Sequence, residues 1–210
     1  LNPVMTPESY MNFYSDVYRP LVSAYHDRLI NSETIQAEQV EYAYKLTKLI
    51  GPFAKEVKLT TLLDIGGSTG VVSRILREKF KLKATVLDPA ADELACAEGS
   101  EMEVISGFIE DYNPDGREFD LIVFCQTIDH VLDALGSLKK IRELLSSNGL
   151  FFVDIVDFRA AYLRNNSIEE AIKIDHPYYF TEETMELMLT KAGFNIMRKS
   201  YADDHLHIGY

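Results

Sequence analysis

The sequence predicts an α/β protein: a doubly wound, mostly parallel seven-stranded sheet with an antiparallel C-terminal edge hairpin, preceded by N-terminal helices. Three observations carry this expectation. Short, nearly all-apolar runs alternate with helical stretches, as in a parallel sheet covered on both faces. A Gly/Ser/Thr cluster in "LLDIGGSTG" (62–70) joins the first run to the helix-like "VVSRILREKF", in the order strand, tight turn, helix. The tail then breaks the alternation with one helix and two adjacent strand-like runs.

The Tyr-rich opening "PESYMNFYSDVYRPLVSAYHDRL" and the helical "SETIQAEQVEYAYKLTKLIGP", which Gly51-Pro52 should stop, read as an N-terminal helical cap over residues 1–55. Residues 56–210 read as one globular unit. Within it, strands are expected at 60–65, 83–88, 102–107, 119–124 and 150–156, and helices at 70–80, 90–98 and 131–146. The last of these carries an apolar stripe of Val131, Leu132, Leu135, Leu138, Ile141, Leu144 and Leu145, and "SSNG" should end it with Gly149 as a left-handed cap. "FTEETMELMLTKAGF" reads as a helix with Thr181 as N-cap, acidic first-turn residues, a Phe180–Met185 staple and Gly193 at its close. "FNIMRKSY" and "HLHIGY" follow as a hairpin.

At 210 residues, 47% hydrophobic and 26% charged, the chain has the composition of an ordinary soluble domain. No apolar stretch approaches the roughly 20 residues of a membrane span, and no secretory signal opens the chain. The opening Leu1 leaves room for a native start upstream. Cys96 and Cys125, both in apolar surroundings, read as buried thiols of a reducing, cytoplasmic compartment. A net charge of −12 and the lack of a basic face argue against nucleic acid as partner or substrate.

In a doubly wound sheet a ligand lies beyond the strands' carboxyl ends, where strand order reverses, and the first strand-to-helix turn supplies the site. "DIGGSTG" places Gly66, Gly67 and Gly70 in that turn, where the lack of a Cβ permits close approach to a ligand. A turn that binds nothing is the bland alternative. No Lys follows Gly70, so a P-loop is excluded. The dinucleotide spacing G-x-G-x-x-G fits neither from Gly66 nor from Gly67, which disfavours NAD. S-adenosylmethionine, which needs no pyrophosphate cradle, is the third reading.

From about residue 60 onward the chain resembles the class I S-adenosylmethionine-dependent methyltransferases of small-molecule type. The resemblance rests on "DIGGSTG", whose Asp64, Gly66, Gly67, Ser68 and Gly70 it implies to border the cofactor, on "TVLDPA", on "SGFIEDY", on "FDLIVFCQTIDHVLD" and on the later "LLSSNGLFFVDI" and "HPYYFTEETMELMLTKAGF". It implies a methyltransferase using S-adenosyl-L-methionine. Ser68 stands where the family more often has Gly. Asp88, with Pro89 turning the chain after it, is implied to accept the ribose hydroxyls, a role compatible with that of a helix N-cap. Phe108 takes a place where Asp is frequent; Phe108 and Ile109 are implied to flank the adenine, with Glu110 and Asp111 as competing polar candidates. Cys125 and Gln126 are implied to lie by the methionine end, and Tyr14, Tyr18 and Arg19 to fold over the cofactor from the N-terminal segment, the alternative being a packed amphipathic helix.

Methyl transfer is an in-line displacement on an activated donor, so alignment and water exclusion come first. A base is needed only where the acceptor must lose a proton. His130 and His176 are the catalytic candidates, each weighed against a structural role. Tyr10, Tyr25 and Tyr178 are candidates for an aromatic acceptor pocket. His26, His205 and His207 show no metal-ligand spacing, and the acidic cluster of catechol-type members is not found, so no metal is expected. The expected partner is a small-molecule acceptor, a sugar or secondary metabolite among the options, bound by a monomer or homodimer without membrane contact. Two rivals stand beside this reading. One is a non-catalytic or degenerate S-adenosylmethionine-binding subunit. The other is a nicotinamide-dependent reductase, whose Tyr-x-x-x-Lys pair is not matched, since Tyr42 and Lys45 lie upstream of the loop.

Overall fold

The computed structural model describes residues 5–99, 101–173 and 175–210. The N-terminal segment is α1 (Pro7–Asn12), a π-helical turn (Phe13–Val17) and α2 (Tyr18–Tyr25). α3 (Ser32–Ile50) opens on a reciprocal cap: Thr34 N donates to Asn31 Oδ1 at 3.1 Å, and Asn31 N to Thr34 Oγ1 at 3.0 Å. As expected, it stops before Gly51-Pro52.

Then β1 (Thr61–Ile65), α4 (Val71–Phe80), β2 (Lys83–Asp88), α5 (Ala91–Leu94), β3 (Glu103–Ser106) and β4 (Phe119–Phe124) alternate. After them come a 3-10 turn (Ile128–His130), α6 (Ala134–Leu144), β5 (Leu145–Val156), α7 (Phe158–Asn165), α8 (Ile168–Ala171), α9 (Glu182–Lys191), β6 (Ser200–Tyr201) and β7 (His207–Gly209).

Among the described residues the strands form one seven-stranded sheet of order β3-β2-β1-β4-β5-β7-β6. β1 through β5 pair in parallel and β7 runs antiparallel to β5 and β6, so the expected fold class holds. The two-residue period of the strands feeds two cores. Leu62, Leu121 and Val123 face α3 and α4, meeting Ala43, Leu46, Ile50, Val72 and Leu76. Leu63, Ile65, Ile122 and Phe124 face α6 and α9, meeting Leu138, Ile141, Met185 and Leu189. α3 therefore shares one core with the sheet. No described helix is long and apolar enough to cross a membrane.

Five local expectations are corrected. The helix expected over 131–146 is shorter, because the Asp133 side chain caps Gly136 N at 2.9 Å and starts α6 at Ala134, leaving Val131 extended. Gly149 is no left-handed cap. It lies within β5, where the register jumps from Phe119–Leu145 to Leu121–Leu150, and a Cβ there would meet Leu145 Cδ1 at 2.8 Å. The helix at 90–98 is a single turn, and Cys96 is exposed in the turns after it, while Cys125 is half-buried. Of 194–201, only Ser200–Tyr201 pairs as a strand: Gly193 (φ +88°) turns the chain out of α9, Phe194 stacks on Phe151, and Lys199 is tied to Glu182 and Glu186 of α9. α9 itself is as expected, with Thr184 N donating to Thr181 Oγ1 at 3.3 Å and Phe180 and Met185 buried in one cluster.

Candidate active site

Strand order reverses between β1 and β4, and a cavity of ≈ 120 Å³ opens beyond the carboxyl ends of β1, β2 and β4. The loop after β1 shapes its floor. Gly66 (φ +71°) is fixed by the protein itself, since a Cβ there would lie 2.3 Å from Thr127 Oγ1; a Cβ on Gly67 would lie 2.6 Å from Val86 Cγ1. These glycines are therefore required by the packing of the loop against its neighbours, Thr127 after β4 and Val86 on β2. Ser68 adopts φ +49°, a conformation easy for Gly and costly for other residues, and its hydroxyl is used: Oγ donates to Glu93.

Asp88 ends β2. Its Oδ2 accepts Ser68 N and its Oδ1 accepts Ala90 N, both at 2.8 Å, which locks the two loops together and still leaves a lone pair on each oxygen. Burial pushes its carboxyl up to about 6 against those two hydrogen bonds. Pro89, Phe108, Ile109 and Glu110 continue the wall. Glu110 Oε1 accepts Leu132 N at 3.3 Å, while its Oε2 is buried without a partner among the described residues.

The roof is the N-terminal segment. The π turn widens the helix there, and Tyr10, Tyr14, Tyr18 and Arg19 all border the cavity. Tyr14 OH lies 2.7 Å from His130 Nδ1 and 3.3 Å from Tyr10 OH; the Tyr10 ring lies 6.0 Å from that of Phe108. Burial raises all three phenols, Tyr18 to about 12, so they stay protonated. Arg19 pairs with Glu93 and lies 4.8 Å from the Tyr18 ring.

A second cavity, ≈ 870 Å³, adjoins the first. Tyr18, Gln126 and His130 wall both. Its other lining includes apolar Leu21, Val22, Ile155 and Ile172, aromatic Tyr25 and Tyr179, and polar Asp129, Lys173, Asp175 and His176. His176 Nδ1 lies 3.0 Å from Asp129 Oδ2, and the His130 and His176 rings are 4.5 Å apart. Burial opposes ionisation of Asp129, but the adjacent His130, and after it His176, hold its carboxyl well below the usual range. Burial lowers His130 against the pull of Asp129.

Twelve of the residues nominated from sequence as cofactor or catalytic groups thus border the first cavity: Tyr14, Tyr18, Arg19, Gly66, Ser68, Asp88, Pro89, Phe108, Ile109, Glu110, Gln126 and His130. His176 borders the second. Asp64, Gly67, Gly70 and Cys125 border neither. Asp64 Oδ2 accepts Ser73 Oγ at 2.7 Å, tying β1 to α4, and Cys125 packs toward the α3 side. Tyr25 lines the larger cavity and Tyr10 the smaller, but Tyr178 donates to Leu132 O at 2.8 Å and leaves Tyr179 to face the space. Asp111 is exposed.

Sequence reasoning missed Glu93, Asp129 and Asp154. Asp154 Oδ1 accepts Gln126 N at 2.6 Å and Oδ2 accepts Tyr42 OH at 2.9 Å. Its signal was present, as an acid inside the apolar run "FFVDIV".

A family model described as a methyltransferase domain matches residues 36–199. The chain belongs to that methyltransferase-domain family. The ubiquinone biosynthesis O-methyltransferase of Methylobacterium sp. (strain 4-46) is 30% identical over 105 residues, 46% of this chain and 41% of that relative. The chain thus aligns with less than half of that relative's length. Magnesium protoporphyrin IX methyltransferase from Synechocystis PCC 6803, solved with bound SAH, superposes with TM-score 0.69 at 12% identity, over 96% of this chain and 97% of that one. An S-adenosylmethionine-dependent methyltransferase from Clostridium acetobutylicum superposes with TM-score 0.62 at 14% identity, over 97% and 96%. The methyltransferase domain thus has the fold of S-adenosylmethionine-dependent methyltransferases, the resemblance noted in its loop and strand ends.

Proposed function

We propose that this methyltransferase domain uses S-adenosyl-L-methionine to methylate an oxygen of a small molecule held in the larger cavity. One observation carries the reading: His130, with Tyr18 and Gln126, forms the partition between the loop-floored cavity and the larger one, so a donor on one side meets an acceptor on the other. The cofactor supplies a methyl group already activated on a sulfonium sulfur. Asp88 receives the ribose hydroxyls on its two remaining lone pairs, and Phe108 and Ile109 flank the adenine. Glu110, whose Oε2 is buried and unpartnered, takes the exocyclic amine, the choice left open between it and Asp111. Tyr14, Tyr18 and Arg19 close over the bound donor.

A hydroxyl acceptor must lose its proton as the new O–C bond forms, and the polar group at that place is His130 with His176 and Asp129 beside it. The apolar and aromatic lining of the larger cavity favours a flat or partly apolar molecule carrying that hydroxyl, and the O-methyltransferase relative supports oxygen as the receiving atom. The test is S-adenosylhomocysteine release from purified protein over a panel of phenols, catechols and sugars, beside calorimetric titration with S-adenosylmethionine. His130→Ala should keep donor affinity and lose turnover by about 10²-fold or more. Donor binding with no turnover on any acceptor would favour the non-catalytic subunit instead.

A further inference from the structure

Three groups in or beside the partition come from two distant stretches of the chain and meet in the fold: Asp129 and His130 in the 3-10 turn after β4, and His176 in the segment before α9. One ligand atom of each lies within 4.8 Å of the others. His176 Nδ1 is 3.0 Å from Asp129 Oδ2, and His130 Nε2 is 4.0 Å from Asp129 Oδ1. A tetrahedral zinc ion with bonds of about 2.0–2.2 Å spaces its ligands by about 3.4 Å, between these two separations.

Two further features point the same way. Asp129 Oδ1 is buried and has no hydrogen-bond partner among the described residues, an orphaned anionic oxygen on a residue only 8% exposed. His130 is also engaged at its other ring nitrogen, Nδ1 meeting Tyr14 OH at 2.7 Å. That is how metal-binding histidines are oriented from behind.

We infer that Asp129, His130 and His176 form a divalent-metal site, and that the ion it takes is zinc. Two imidazoles and one carboxylate suit zinc, whereas magnesium prefers an all-oxygen set. The protein supplies three ligands, and the fourth position faces the larger cavity, as in catalytic zinc sites. The inference rests on the proposed reaction and sharpens it: the open position receives the acceptor hydroxyl, whose acidity the ion raises, and the proton leaves to water through the cavity. His130 then acts as a ligand, and the proposal departs from the sequence-based expectation of no metal.

The experiment is zinc titration of chelator-stripped full chain against a chromogenic chelator, with cobalt as a spectroscopic substitute. One equivalent of zinc should bind, unaffected by excess magnesium, and the cobalt form should show the intense visible bands of a tetrahedral site. Asp129→Asn and His176→Ala should each weaken zinc by more than about tenfold while S-adenosylmethionine affinity persists as the control for folding; Tyr14→Phe should weaken it by about tenfold. His205→Ala, which removes an exposed imidazole outside both cavities, should change nothing. Zinc bound equally by wild type and His176→Ala, or a folded wild type with no tetrahedral cobalt bands, overturns the site. Methyl transfer by a protein that binds no zinc sinks the ion and leaves the reaction standing. Zinc binding without transfer to any acceptor sinks the reaction and leaves the ion.

Discussion

Asp88 holds the N–H groups of Ser68 and Ala90 while facing the cavity, so one carboxylate fixes the loop and keeps a lone pair on each oxygen for the ribose contact proposed above. Asp88→Ala should weaken S-adenosylmethionine binding by about 1.5–3 kcal/mol, the worth of hydrogen bonds to a charged group. Calorimetric titration checks it, and unchanged affinity would remove the donor from this cavity. Gly66 makes a different prediction. A Cβ there meets Thr127 Oγ1 at 2.3 Å, so Gly66→Ala should cost about 1–3 kcal/mol of stability in denaturant melts, and adding Thr127→Gly should recover part of it. If the double variant recovers nothing, the positive φ, and not the clash, is what demands glycine. The need for glycine was legible in the sequence, but its cause was not. The neighbour that excludes a Cβ sits in another loop, and chain spacing cannot report it.

The elements divide by how much of their shape is local. β2 and β4 carry strong apolar runs and were placed to the residue, because burial on both faces leaves a continuous signal in the chain. Gly149 and residues 195–199 misled for the opposite reason: their conformations are set by the neighbouring strand and by the ion pairs from Lys199 to α9. The N-terminal roof lies between these cases. Its tyrosines were legible, yet the π turn that aims Tyr14 and Tyr18 at one histidine was not. The cavity, at ≈ 120 Å³, is below the roughly 300 Å³ of typical ligand pockets, so entry of the proposed donor is expected to involve lifting of the roof. Its clasp is Arg19 on Glu93. Arg19→Ala should therefore speed S-adenosylmethionine association in stopped-flow, by up to about tenfold, equivalent to about 1.4 kcal/mol. Weaker affinity with unaltered association would instead mean that Arg19 leaves Glu93 for the cofactor.

For the molecule as a whole, three parallel strands carry a buried aspartate near their carboxyl ends: Asp64 on β1, Asp88 on β2 and Asp154 on β5. Burial pushes them up to about 7, about 6 and about 6. Acid groups at the switch point join the layers, as when Asp64 ties β1 to α4 and Asp154 ties α3 to the β4 loop. The cost falls on one side of the pH scale. A carboxyl raised in the fold keeps its proton there after the unfolded chain has lost it. Its contribution is complete below the unfolded value of 3.8 and, for Asp64, drains away as pH rises toward about 7. His130 runs the other way, since burial lowers it and its neutral form is lost as pH falls, so the wild-type curve alone mixes the two. Comparison with Asp64→Asn isolates one carboxyl, because His130 and Asp129 are common to both proteins. Between pH 5 and pH 8 the wild type should lose about 2–3 kcal/mol at this site that the variant keeps. The melting temperature of the variant relative to wild type should therefore climb by roughly 5–10 °C over that range. Parallel melting curves would show that Asp64 is already ionised in the folded protein at pH 5, with the hydroxyl and backbone N–H of Ser73 sufficient to hold the charge.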